Sequence, residues 1–225
     1  MLDAINNSAN KFGCIEVNYK QSEITKSVYD IYGVRTDVTD SGVCMAMSAK
    51  YLLKSIEGKD FFSWLADSSS KWEVVSQYLD HDYSALAPVE MQERMQKELK
   101  LHLNHVGTLN LTPDNFCPQG LSDAMSMTLN DDKGSVNMCY LHNPTKPGHA
   151  VACTKDNEGY IKFMDPNFGE VSFNSSTEFE NWMSNVFNKH YSSFSHLSVN
   201  IYEPYSSIDS QANSLAETAK PNQLS

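Results

Sequence analysis

The chain changes character once, at Gly134, and that change limits what it can fold into. Ahead of it lie helix-length segments. Beyond it come residues 136–141, 150–154, 160–164 and 171–173, each short, rich in strand-forming side chains and bounded by turn residues. Strands gathered this way pair antiparallel, because parallel neighbours need a long crossover between them. The predicted class is α+β, with a helix-rich part over 40–130 and a sheet-rich part over 135–203 in one domain spanning 1–205.

Within the helical part, Cys44–Ile56 is built of good helix formers and stops at Gly58, the residue type that best takes a left-handed C-terminal cap. Residues 61–66 and 71–79 predict two more helices. Pro88 suits a first helical turn, and Met91, Met95, Leu99 and Leu103 then recur every four residues until Gly107, which predicts a helix with a core-facing stripe. A loop over 108–120 and a short helix over 121–129 follow. Residues 14–17 read as a strand in an otherwise polar, aperiodic opening. In the sheet-rich part, Asp156-Asn157-Glu158-Gly159 is a hairpin connection, Ser175 and Glu178 spell a capping box for a helix to about Asn188, and 196–202 alternates as a last strand. From Ser206 onward the chain is small and polar and is predicted to be disordered.

A chain of 225 residues, 40% of them apolar, can bury a sizeable core. Its 28 acidic side chains against 17 basic ones give a formal charge of −11, and the only arginines are Arg35 and Arg94. A nucleic-acid partner is excluded on that balance, since binding one needs a basic face that displaces phosphate counterions. A partner with a basic surface is compatible with it. No apolar run approaches the roughly 20 residues of a membrane helix, and Met1 to Gly13 lacks the basic start and apolar stretch of a cleavable signal. Cys14, Cys44, Cys117, Cys139 and Cys153 are odd in number, with no C-x-x-C pair, so neither a disulfide framework nor a zinc cluster is expected and a reducing compartment is.

Three stretches carry chemistry. Cys44 enters a helix behind Gly42 and Val43, where the macrodipole and free backbone N–H groups favour a thiolate, and its own N–H can serve an oxyanion. A thiolate hydrolase also needs a base, and the base needs an orienter, because a freely rotating imidazole seldom presents the right tautomer. His149 begins a predicted strand, and Asp165 ends the next one before Pro166. The two are equidistant from Asn157, so symmetric pairing of the hairpin sets them opposite each other, with Cβ atoms roughly 4.5–5.5 Å apart. Taken singly, a buried structural cysteine and an Asp-Pro-Asn turn are the commoner explanations. It is the ordered set that points to a nucleophile, base and orienter.

Gly42-Val43-Cys44 with Met47 and Ser48, the strand His149-Ala150-Val151-Ala152, and Asp165-Pro166-Asn167-Phe168-Gly169 resemble the YopT-type cysteine proteases, a papain-like family of bacterial effectors and toxin domains. The likeness covers three motifs between Gly42 and Phe173. It implies Cys44 as nucleophile, His149 as general base and later acid, and Asp165 as orienter. It also implies a papain-like layout, a helical part carrying the Cys packed on an antiparallel sheet carrying the His and Asp. By the same resemblance the expected function is endopeptidase cleavage of a host protein, after export without a cleavable signal into the host cytosol. Residence in the cytoplasm is the alternative location. An acidic surface suits a substrate segment rich in Lys or Arg, such as the polybasic tail of a prenylated small GTPase, which some members cut.

Papain-like enzymes usually place an Asn or Gln oxyanion donor five or six residues before the cysteine. Here that stretch is Asp37-Val38-Thr39-Asp40-Ser41, and the candidate donors are the hydroxyls of Thr39 and Ser41 or a backbone N–H. Two alternatives use the same fold: a glutamine deamidase, transglutaminase or leader-peptide peptidase, and an inactive binding module with a structural Cys44. No cofactor is expected. His102 and His105 have an i, i+3 spacing that suits a metal on a helix but lack an acidic or thiol partner, and they read as surface histidines. His81 reads as a solvated helix end, His142 as a cleft or exposed residue, and Trp64, Trp72 and Trp182 as core or cleft wall.

Overall fold

In a computed structural model, residues 12–33, 43–81, 97, 103–111, 135–143, 146–156 and 158–204 are described. Among these residues, seven strands form one sheet in the order β1-β6-β5-β4-β3-β7-β2, with every pairing antiparallel. They are β1 (Cys14–Asn18), β2 (Leu103–Leu111), β3 (Ser135–Asn143), β4 (Lys146–Lys155), β5 (Ile161–Asp165), β6 (Gly169–Phe173) and β7 (His196–Pro204). Alternation along the strands gives the sheet two apolar faces. Ala150, Ala152, Met164 and Tyr202 pack under helices Gln21–Tyr32, Cys44–Ile56, Phe61–Leu65 and Ser68–His81. Val151, Cys153, Phe163, Val171, Phe173, Leu197 and Val199 pack under the helical segment from Ser176 to His190. The small Ala150 and Ala152 let the Cys44–Ile56 helix lie close on β4.

The helix over Cys44–Ile56 has the predicted bounds, and Gly58 takes the positive φ of 65° that ends it. The helix predicted over 71–79 starts earlier, at Ser68, and runs to His81. Gln21–Tyr32 is a helix that the aperiodic opening hid. It buries Ile24 and Val28 one turn apart, while Tyr29 and Ile31 are exposed at 48% and 51%, so its buried stripe is short.

Leu103 is not the last rung of a helix, and Gly107 is not a helix stop. Both lie in β2, which pairs with β7 from Leu103↔Pro204 to Leu111↔Leu197, and the register shifts between His105 and Gly107. A glycine at such a bulge relieves the crowding of the extra residue, and strand pairing overrides the local four-residue period. This also removes His105 from any helical pair with His102, which lies outside the described residues. Pro88, Met91, Met95, Leu99, most of the loop over 108–120, the helix over 121–129 and the tail from 206 fall outside them as well. Among the described residues, no helix is long and apolar enough to cross a membrane.

At Ser175 the capping box forms, with Oγ accepting from Glu178 N–H at 3.2 Å. The Glu178 carboxylate reaches one residue further back than the motif predicts and accepts from Asn174 N–H at 2.9 Å. Trp182 is fully buried in the core, whereas Trp64 and Trp72 are half-buried against the helical face.

The β5–β6 turn is held from outside. Tyr19 N–H donates to Phe168 O at 3.2 Å and Gln21 N–H to Pro166 O at 2.6 Å, tying the end of β1 to the Asp165–Gly169 turn. Gly169 has φ +106°, and a Cβ there would lie 2.0 Å from Val17 O. Gly169→Ala is therefore expected to lower unfolding stability by about 3 kcal/mol or more, combining a disfavoured φ with a backbone clash. Urea unfolding of the two proteins measures it.

Candidate active site

Cys44 is the first residue of its helix, and Val43 before it offers no side-chain cap. The positive end of the helix therefore acts on the sulfur. The thiol is hydrogen-bonded to His149 and to the Ala150 backbone in β4. Cys44 is 7% exposed, His149 5% and Asp165 0%.

His149 sits within β4, not at its start, because β3 and β4 pair back to Asn143↔Lys146. Nor is Asp165 directly opposite it. The β4–β5 ladder runs Lys155↔Ile161 to Ala152↔Met164, which is centred on Glu158 and not on Asn157. The turn sets that offset: Gly159 has φ +90° and donates to Asp156 O at 3.1 Å, while Asp156 N–H donates to Tyr160 O at 3.0 Å. His149 and Asp165 are thus diagonal neighbours. By alternation they share the face of Val151 and Phe163, and side chains reach across such a diagonal. His149 Nε2 lies 2.8 Å from Asp165 Oδ1. That contact leaves Nδ1 as the ring nitrogen for Cys44.

The electrostatics follow from this contact pattern. Burial works against ionising His149, but the charge and hydrogen bond of Asp165, together with Cys44, outweigh it and push the imidazole up to about 10. Burial likewise works to raise Cys44, but the hydrogen bond and charge of His149 with the Ala150 backbone bond bring the thiol below its ordinary value. A lowered thiol beside a raised imidazole shifts the balance of the pair toward thiolate and imidazolium.

Residues 6–201 match the Peptidase C58 family, the Yersinia/Haemophilus virulence surface antigen family. The chain belongs to this family. It is 27% identical over 210 residues to the protein adenylyltransferase and cysteine protease IbpA of Histophilus somni, covering 83% of this chain and 5% of that protein. It is 22% identical over 189 residues to the cysteine protease YopT of Yersinia pestis, covering 76% of this chain and 57% of that one. The chain thus spans little more than half the length of one of these relatives and a small part of the other. The crystal structure of the Pseudomonas avirulence protein AvrPphB shares the papain-like α+β fold, with a TM-score of 0.52 and 16% identity over 74% of this chain and 94% of that one.

Within this C58 fold, two residues beside the ring were not singled out by the sequence. Asn167 N–H donates to Asp165 Oδ1 at 2.8 Å, and its side-chain nitrogen lies 3.4 Å from His149 Nε2. Tyr191 lies parallel to the His149 ring, with centroids 5.0 Å apart and an interplanar angle of 15°. Asn167 was visible only as part of a turn, and nothing local to Tyr191 connects it to the site. Thr39 and Ser41 lie outside the described residues. His142 and His105 are on strands, and among the described residues no three His, Cys, Asp or Glu side chains are grouped to hold a metal.

Proposed function

We propose that this chain is a cysteine endopeptidase in which Cys44 is the nucleophile, His149 the general base and acid, and Asp165 the orienter of His149. The reading is carried by one observation, the 2.8 Å contact of His149 Nε2 with a fully buried Asp165 while the ring is also bonded to a thiol at a helix start. In this mechanism the Cys44 thiolate attacks the scissile carbonyl and forms a C–S bond. The oxyanion that develops lies near the N–H groups of the helix start. The imidazolium gives its proton to the departing amine nitrogen, and the C–N bond breaks to leave a thioester on Cys44. His149, now neutral, takes a proton from water, whose hydroxide adds to the thioester, and the thiolate and a free carboxylate return.

The substrate is a protein of a host cell, with a segment rich in Lys or Arg matching the acidic chain, and the site of action is the host cytosol. Membership of a family described as a virulence antigen supports this. Two measurements test the reading. Iodoacetamide at neutral pH is expected to modify Cys44, paired with His149, at least about tenfold faster than the exposed Cys14. Mass spectrometry of treated host lysate is expected to show new protein N-termini that Cys44→Ala does not produce. Equal labelling of the two cysteines, or glutamine deamidation without new termini, would sink the endopeptidase reading.

A further inference from the structure

Both oxygens of the Asp165 carboxylate are occupied by donors. Oδ1 accepts from His149 Nε2 and from Asn167 N–H, each at 2.8 Å, and Oδ2 accepts from the Tyr191 hydroxyl at 2.5 Å. A phenol has one proton, and once it is given to Asp165 the Tyr191 oxygen can only accept. Asn167 Nδ2 supplies that bond at 3.2 Å, and Gln21 Nε2 fixes the amide in turn by donating to Asn167 Oδ1 at 2.7 Å. The donors run one way, from Gln21 to Asn167 to Tyr191 to Asp165. The same tyrosine also stacks on the imidazole, and its own ring is packed by Phe187 at 4.6 Å and Phe194 at 5.8 Å between centroids.

The backbone path to Tyr191 is unusual. A π turn, Met183–Phe187, separates the helix Ser176–Trp182 from the short helix Asn188–His190. Wide turns of this kind re-aim the residues that follow and recur at functional sites. Tyr191 N–H then bonds Phe187 O at 3.0 Å, fixing the tyrosine one turn beyond the buried phenylalanine.

We propose that Tyr191 is a positioning residue of this site, its hydroxyl holding the Asp165 carboxylate and its ring holding the plane of the His149 imidazole. The proposal rests on the peptidase reading above and adds the group that keeps its acid–base pair in register. The titratable groups set against His149 among the described residues are Asp165 from β5, Cys44 from its helix start and Tyr191, with the His190 ring 6.2 Å from that of Tyr191. Without the phenol, Oδ2 of a fully buried carboxylate loses its donor and the carboxylate is no longer held in place against His149. His149 then loses part of what keeps it protonated, and the Cys44 thiolate loses part of its counterion.

The test uses the full chain as wild type, Tyr191→Phe and Asn167→Ala, with two readouts. One is the His149 titration by NMR of isotope-labelled imidazole, and the other is the pH profile of Cys44 alkylation by iodoacetamide. In Tyr191→Phe the His149 midpoint is expected to fall by about one pH unit and the Cys44 midpoint to rise. Asn167→Ala should move both in the same directions by less. Curves that superimpose on wild type, with only the melting temperature lowered, would overturn the proposal and leave Tyr191 as a packing residue. If Tyr191→Phe fails to fold, the Asn167→Ala curves decide by the same criterion. If wild-type Cys44 reacts no faster than an ordinary thiol while His149 still shifts in Tyr191→Phe, the positioning role stands and the peptidase reading falls.

Discussion

Alanine in place of His149 is expected to lower peptide turnover about a millionfold, since parts of a nucleophilic site that act as a unit are lost together. The same change acts on the thiol by itself. Burial of Cys44 tends to raise its pKa, and what brings the thiol below its ordinary value is mainly the hydrogen bond and charge of His149. With the imidazole gone, burial is opposed only by the Ala150 backbone bond and the helix end, so the alkylation profile of His149→Ala should move to higher pH than in wild type. A profile that does not move would mean that His149 is not the counterion. In wild type, peptidase activity should rise as Cys44 ionises and fall as pH passes about 10, where His149 loses the proton the leaving amine needs. Stability carries the same signature. The folded His149 value lies above the unfolded 6.5, so its contribution is complete below about pH 6.5, weakens above it and is gone beyond about pH 10.

Asparagine at 165 should cost about four orders of magnitude in turnover, the loss seen when the carboxylate of a buried His–Asp pair becomes an amide. The hydrogen-bond pattern explains why the substitution is not benign. Oδ1 accepts twice, from His149 and from Asn167 N–H, and Oδ2 accepts from Tyr191. An amide can accept at only one of those two positions. With its NH2 toward His149, the ring must carry its proton on Nδ1, facing the thiol that should give a proton up. With its NH2 toward Tyr191, the phenol is asked to accept from two donors and its own proton has no acceptor. Either arrangement also removes the charge that keeps His149 protonated. Steady-state assays of Asp165→Asn beside Cys44→Ala measure the loss, and activity within tenfold of wild type would contradict the orienting role.

Some of this was legible in the residues. Cys44–Ile56 has its predicted ends because a dense run of helix formers meets Gly58, two local signals that agree. The segregation of strands after Gly134 gave the antiparallel sheet, and the order of Cys44, His149 and Asp165 along the chain picked out three side chains that do meet. What was hidden depends on partners distant in sequence. The helix Gln21–Tyr32 buries Ile24 and Val28 where it meets its neighbours, a short stripe set among polar residues. The segment Leu103–Leu111 imitates the end of a helix until β7 pairs with it. The His149–Asp165 register turned on how residues 156–160 close, which shifted the pair from opposed to diagonal. Tyr191 reaches the site only through a π turn, for which the sequence carries no marker.

The tie between the end of β1 and the Asp165–Gly169 turn has a consequence for when the thiol becomes reactive. The pairs Gln21–Asn167, Cys44–His149, His149–Asp165 and Asp165–Tyr191 draw on nearly the whole span of the described chain, and the pair nearest in sequence is 16 residues apart. Contacts so far apart in sequence close late in folding, after the loops between them have lost their freedom. A partly folded chain therefore carries Cys44 as an ordinary thiol, and the activated one belongs to the native state alone. The rate at which Cys44 is alkylated at neutral pH is then a chemical clock of folding, counting the chains in which Cys44 has met His149.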